Sequence, residues 1–96
     1  MTFADLVNFG SVAELQRKFD EINEACRRHP NSPRDAGVVS PALFVAHPLR
    51  VVSMDLVDRD EGFVVVDSPF GEKTVPFVAD DVVDEWVNDD LLSSLA

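Results

Sequence analysis

Carboxylates are the reactive groups this sequence holds in abundance: twelve Asp and six Glu, against two His and one Cys. Asp55, Asp58, Asp60 and Glu61 crowd a segment that ends in Gly62, the kind of turn that offers oxygen ligands to calcium or magnesium. An EF-hand loop, however, needs alternating acids, Gly at the sixth position and Glu at the twelfth. Counted from Asp58, Gly62 is fifth, so a solvated hairpin turn is the better reading. Asp67, Glu72 and Lys73 supply the residue types of a nuclease-like carboxylate set. Glu72 and Lys73 are adjacent, so in a strand they face opposite sides. His29 follows two arginines at the end of a helical pattern, where a cation complements the helix dipole. His47 precedes Pro48 in an apolar stretch, and no Ser or Cys nucleophile stands in a recognisable signature with either histidine. Cys26 falls on an apolar helical stripe and reads as a small core residue. A lone cysteine excludes an internal disulfide or a cysteine zinc cluster, and four scattered glycines make no phosphate-binding loop. The expectation is a non-enzymatic protein without metal or cofactor.

The distribution of charge says more than any motif. The 96 residues carry a formal net charge of −10. Residues 1–54 balance six acids with six bases, whereas residues 55–96 hold twelve acids and only Arg59 and Lys73 as bases. All the net charge therefore lies on the second part, and asymmetry of this kind hints at an interaction surface. Adaptation to salt would spread acids over the whole surface. Concentrated like charge costs stability through self-repulsion, so solubility alone accounts for it poorly. Direct nucleic-acid binding is not expected, because neutralising phosphates needs an excess of Lys and Arg. Adsorption to an anionic membrane is disfavoured for the same reason.

The elements that must position these acids are legible in outline. Thr2–Phe9 reads as a short helix, with Thr2 and Asp5 as a capping-box variant and Gly10 as its C′ residue. Ser11 and Glu14 open a second helix by the same device. Its apolar stripe is Val12, Leu15, Phe19, Ile22 and Cys26. Glu14–Lys18 and Glu24–Arg28 are i,i+4 pairs in the favourable order, and Pro30 ends the helix. Pro30–Gly37 is a loop by composition. Leu43–Ala46 suits either a strand or a helical turn. Leu49–Val57 is a strand with Val52, Met54 and Leu56 on one face and Ser53 and Asp55 on the other. Phe63–Val66 and Lys73–Val78 follow as strands after turns at Asp58–Gly62 and Asp67–Glu72, and Pro76 places the last one at an edge or a bulge. Asp80 and Asp81 open a final helix with Val82, Val83, Trp86 and Val87 as its apolar face. A straight continuation would put Asp90 on that face, so a kink is expected near Asn88–Asp89, with Leu91, Leu92 and Leu95 docking beyond it. The fold class is α+β: N-terminal helices, a three-stranded antiparallel meander (four-stranded if Leu43–Ala46 joins it) and a C-terminal helix, within a single domain spanning residues 1–96.

On the final helix, Asp81, Asp84 and Glu85 are expected as neighbours on one face, extended by Asp80, Asp89 and Asp90. Helix side chains three or four apart stand about 5–6 Å from each other. Phosphates along one nucleic-acid strand advance about 3.4 Å per step along the axis, so the two spacings are of the same order. Asp58, Asp60 and Glu61 offer a second row. In size and composition the chain resembles the small acidic DNA mimics, anti-restriction and anti-CRISPR proteins among them. That resemblance implies an inhibitor from a phage or mobile element that blocks the nucleic-acid channel of a basic protein or nuclease complex. Two alternatives stand beside it. One is an immunity protein or antitoxin that neutralises a basic toxin. The other is a regulatory subunit that associates, with itself or a partner, through its strands. The N-terminus lacks a basic region and an apolar run, and no segment reaches the roughly 18 apolar residues of a membrane span. A cytoplasmic location is the natural expectation.

Overall fold

The computed structural model describes residues 1–8, 12–29 and 41–95. It has the expected α+β arrangement. Helices α1 (Phe3–Asn8), α2 (Val12–Arg28) and α3 (Pro41–Ala46) precede strands β1 (Arg50–Leu56), β2 (Glu61–Ser68) and β3 (Gly71–Val78). The strands pair antiparallel in the order β1-β2-β3. The C-terminal helix runs from α4 (Val83–Glu85) through a π-helical stretch, Trp86–Leu91, into α5 (Leu92–Ser94). Gly10, the Ser11 half of the second capping box and the Pro30–Gly37 segment lie outside the described residues. Leu43–Ala46 is helical, so the sheet has three strands.

Local sequence explains each helix. Asp5 Oδ2 accepts from the Thr2 amide and hydroxyl at 3.2 Å, and the Asp5 amide donates to Thr2 Oγ1 at 3.4 Å, the reciprocal arrangement of a capping box. The other free amides of the first turn reach across the fold: Phe3 N donates to Asp81 O at 3.0 Å and Ala4 N to Ala79 O at 2.9 Å. The N-terminus is thus fastened to the turn that follows β3. In α2, Leu15, Phe19, Ile22 and Cys26 are buried as the stripe requires, while Val12, in the first turn, is exposed. Glu24 pairs with Arg28 at 3.4 Å and also with Arg27. The expected Glu14–Lys18 pair does not form. Glu14 takes Arg17 at 2.9 Å, and Lys18 reaches across to Asp84 at 2.9 Å.

The sheet corrects the sequence reading of β1. Val51 pairs with Val66 and Ser53 with Val65, so Val52 is the extra residue of a β-bulge. A bulge reverses the alternation that follows it. Val51 and Met54 therefore pack against the core, and Val52 is 51% exposed. Leu56 lies opposite Gly62 at the strand end and is also exposed. At the start of β1, α2 closes the edge with two side-chain amides. Asn23 accepts from Leu49 N at 2.9 Å and donates to Leu49 O at 3.1 Å. Gln16 Oε1 accepts from Val51 N at 2.7 Å. Asn23→Leu should cost about 1–3 kcal/mol, the penalty for orphaning a buried backbone donor, read as a lower urea midpoint.

β3 is an edge strand, as Pro76 implied. The Trp86 indole Nε1 donates to Pro76 O at 2.8 Å. Asp81 Oδ2 accepts from Val78 N at 2.9 Å, while Asp81 N donates to Val78 O at 3.0 Å. Those contacts satisfy the outward groups of this half of the strand. At the β2–β3 turn, the buried Ser68 hydroxyl donates to Gly71 O at 2.8 Å, and Gly71 takes a φ of +98° that suits glycine.

One core cluster joins the layers. Phe3 stacks on Phe77 with centroids 4.2 Å apart, and meets Trp86 edge-on at 4.9 Å. Gly62 is part of this packing. A Cβ there would stand 2.4 Å from Asp55 O and 2.5 Å from the Phe77 ring. Gly62→Ala should destabilise by about 1–3 kcal/mol, as overpacking does, and thermal unfolding would show it.

The expected kink near Asn88–Asp89 takes the form of the π-helical stretch. In a regular α-helix, side chains four apart share a face, which would stack Asp90 on Trp86. The wider i→i+5 turn places Leu91 there instead. Trp86, Val87, Leu91 and Leu95 are buried and Asp90 is exposed. Val82, expected on the apolar face, stands before the helix. It is exposed and forms an isolated bridge with Thr2.

Candidate acidic interface

Three segments bring carboxylates to one end of the sheet. The β1–β2 turn carries Asp58, Asp60 and Glu61. Its backbone closes by Val57 N and Asp58 N both donating to Glu61 O, at 3.0 and 3.1 Å. The turn after β3 carries Asp80 and Asp81. The segments are joined directly, since Glu61 pairs with Val78 in the sheet and Ala79 N donates to Asp60 O at 2.7 Å. The C-terminal helix adds Asp90. Glu61, Asp81 and Asp90 line a common groove of about 680 Å³ with Ser93 and Ser94. Val57, Gly62, Phe63, Val75, Pro76, Phe77 and Val78 contribute the rest of its lining.

The carboxylates of this end are left unneutralised. None of Asp58, Asp60, Glu61, Asp80, Asp81 and Asp90 forms an ion pair among the described residues. Helix α2 behaves oppositely, with Arg17, Arg27 and Arg28 each paired to an acid of the same helix. Arg59 is the one base within the acidic turn, and its amide donates to the Asp58 carboxylate. Asp58, Asp60, Glu61, Asp80 and Asp90 are exposed, and Asp81 is half-buried.

The row expected along the final helix is divided by the structure. Asp81 is not a helical residue; one of its carboxylate oxygens is committed to Val78 N. Asp84 faces α2 and pairs with Lys18, beside a second groove lined by Lys18, Glu21, Ile22, Ala25, Asp84, Val87 and Asn88. This partner holds the Lys18 ammonium above its usual 10.5, chiefly through the hydrogen bond to Asp84. A raised lysine value means that the pair contributes fully at neutral pH and is lost as pH rises through it. Glu85 and Asp89 are exposed on the helix and line neither groove. The acids that converge are thus the turn residues and Asp90.

The remaining polar candidates lie apart. His47 Nε2 stands 3.1 Å from Asp67 Oδ1 and ties the chain before β1 to β2. His29 is exposed at the end of α2, and Cys26 is buried. Among the described residues, no three His, Cys, Asp or Glu stand close enough to hold a metal ion. No described helix is long and apolar enough to cross a membrane. Sequence reasoning missed Val57 and Val78 as part of this site. Their signal was present: both are apolar residues at the ends of strands, next to acidic turns. Comparison with known families, curated proteins and solved structures finds no match for the chain.

Proposed function

We propose that this chain is a non-enzymatic inhibitory binding protein. Its acidic end presents carboxylates in place of nucleic-acid phosphates and occupies the basic channel of a nucleic-acid-binding protein or nuclease complex. The observation that carries this reading is the convergence of six carboxylates from three segments, none of which forms an ion pair among the described residues. Unpaired like charges raise the energy of the free protein. A cationic channel would relieve that repulsion and be reached by steered association. Capping of the sheet edges supports a surface mechanism over strand addition: Asn23 and Gln16 close the start of β1, and Trp86 and Asp81 close the end of β3.

Capture on the immobilised protein from nuclease-treated lysate, followed by salt elution, tests the proposal. Recovery of a basic nucleic-acid enzyme in a salt-sensitive fraction is expected. Recovery of only the chain itself, or of a partner held through high salt, would contradict it. Recovery of a basic toxin that does not bind nucleic acid would shift the assignment to immunity.

A further inference from the structure

The acidic groove has a feature that phosphate mimicry alone does not require. Exposed hydrocarbon lines it together with the carboxylates. Phe63 is 40% exposed and, with Val57 and Val78, lines the same groove as Glu61, Asp81 and Asp90. A surface that only imitated phosphate would gain nothing from placing a phenyl ring and two valines among its charges. A ligand that is cationic at its tip and apolar along its stem would use both. Arginine fits better than lysine. Its planar guanidinium stacks on aromatic faces and donates to two carboxylate oxygens at once, whereas an ammonium is a strongly hydrated point charge.

We infer that this groove receives one arginine side chain of the basic partner. The aliphatic stem lies on Val57 and Val78, the guanidinium packs against Phe63, and Glu61 and Asp90 take its N–H groups. Asp81 is held by Val78 N and fixes the groove wall. The inference rests on the proposed function and adds an anchor to it: the wider acidic end steers the partner, and the groove fixes one residue of it.

The test is an NMR titration of the isotope-labelled 96-residue chain with N-acetyl-arginine N-methylamide, its lysine and norleucine counterparts, and methylguanidinium. An octa-arginine peptide serves as the general polycation. The arginine derivative should produce saturable shifts at the amides of Val57, Phe63 and Val78. It should bind at least about threefold tighter than the lysine derivative, the margin of one exposed cation–π contact, and tighter than methylguanidinium, which lacks the stem that Val57 and Val78 receive. The norleucine derivative, lacking charge, should produce no saturable shift. Phe63→Ser should abolish the preference over the lysine derivative, and because Phe63 lies outside the core cluster the fold should survive. Octa-arginine should still bind this variant at low salt.

Shifts confined to the carboxylate-bearing turns, or equal binding of all the cations, would overturn the anchor and leave the proposed function standing. Failure of octa-arginine to bind the unaltered protein would overturn both.

Discussion

Replacing Trp86 with alanine is expected to destabilise the protein by about 3–5 kcal/mol, the usual cost of deleting a buried aromatic side chain. Small domains hold about 5–15 kcal/mol in total, so the variant should be close to unfolding under mild conditions. The indole is almost fully buried, meets Phe3 edge-on, and supplies the donor that satisfies Pro76 O on the edge of β3. Trp86→Phe separates these contributions. It keeps most of the apolar contact but orphans the carbonyl, and should cost about 1–3 kcal/mol. Circular dichroism during urea titration is the appropriate probe, since Trp86 is the one tryptophan and its fluorescence is lost with it. A full-sized loss in the phenylalanine variant would show that the hydrogen bond, rather than packing, holds the C-terminal helix against the sheet.

The second large effect concerns binding. Reversing charge at Asp60, Glu61 and Asp90 together should leave the fold intact, because all three are exposed and their side chains make no hydrogen bond among the described residues. Relief of repulsion should raise the melting temperature. Affinity for the captured partner should fall by at least about a hundredfold. Two contacts at about 1.5 kcal/mol each, the lower end for close charge pairs across an interface, already reach that value. An equal charge change at Asp20, Glu21 and Glu72 is the control. It alters net charge identically but away from the groove, and should weaken binding by only about a few-fold, through steering alone. Equal losses in the two variants would mean that bulk charge, not this end of the sheet, drives association.

The periodic elements were readable from the residues. The stripe of α2, the capping box at Thr2 and Asp5, the meander and the edge character of β3 all follow from local spacing. What the sequence hid were single-residue irregularities. The bulge at Val52 shifts alternation by one position, and no pattern of Val and Ser marks where the extra residue falls. The π-helical stretch was legible as a conflict, since Asp90 could not remain on the buried side of a regular helix. Its resolution is a wider turn that begins at Trp86, the residue bound to Pro76 O. The acids of residues 55–96 were visible as a count, but their grouping was not. Pairing of β2 with β3 brings the 58–61 and 79–81 turns together, and the Lys18 contact takes Asp84 away from them. Those are long-range contacts that helical periodicity does not encode.

Competition at equilibrium distinguishes occupancy of the nucleic-acid channel from binding elsewhere on the partner. The captured partner is first loaded with a labelled nucleic-acid duplex, and the acidic protein is titrated in while displacement is followed by fluorescence anisotropy. Complete displacement is predicted, with the apparent affinity of the acidic protein falling in proportion to added duplex and the Asp60/Glu61/Asp90 reversal variant failing to displace. A stable ternary complex of partner, duplex and acidic protein would contradict phosphate mimicry, because two occupants cannot share one channel.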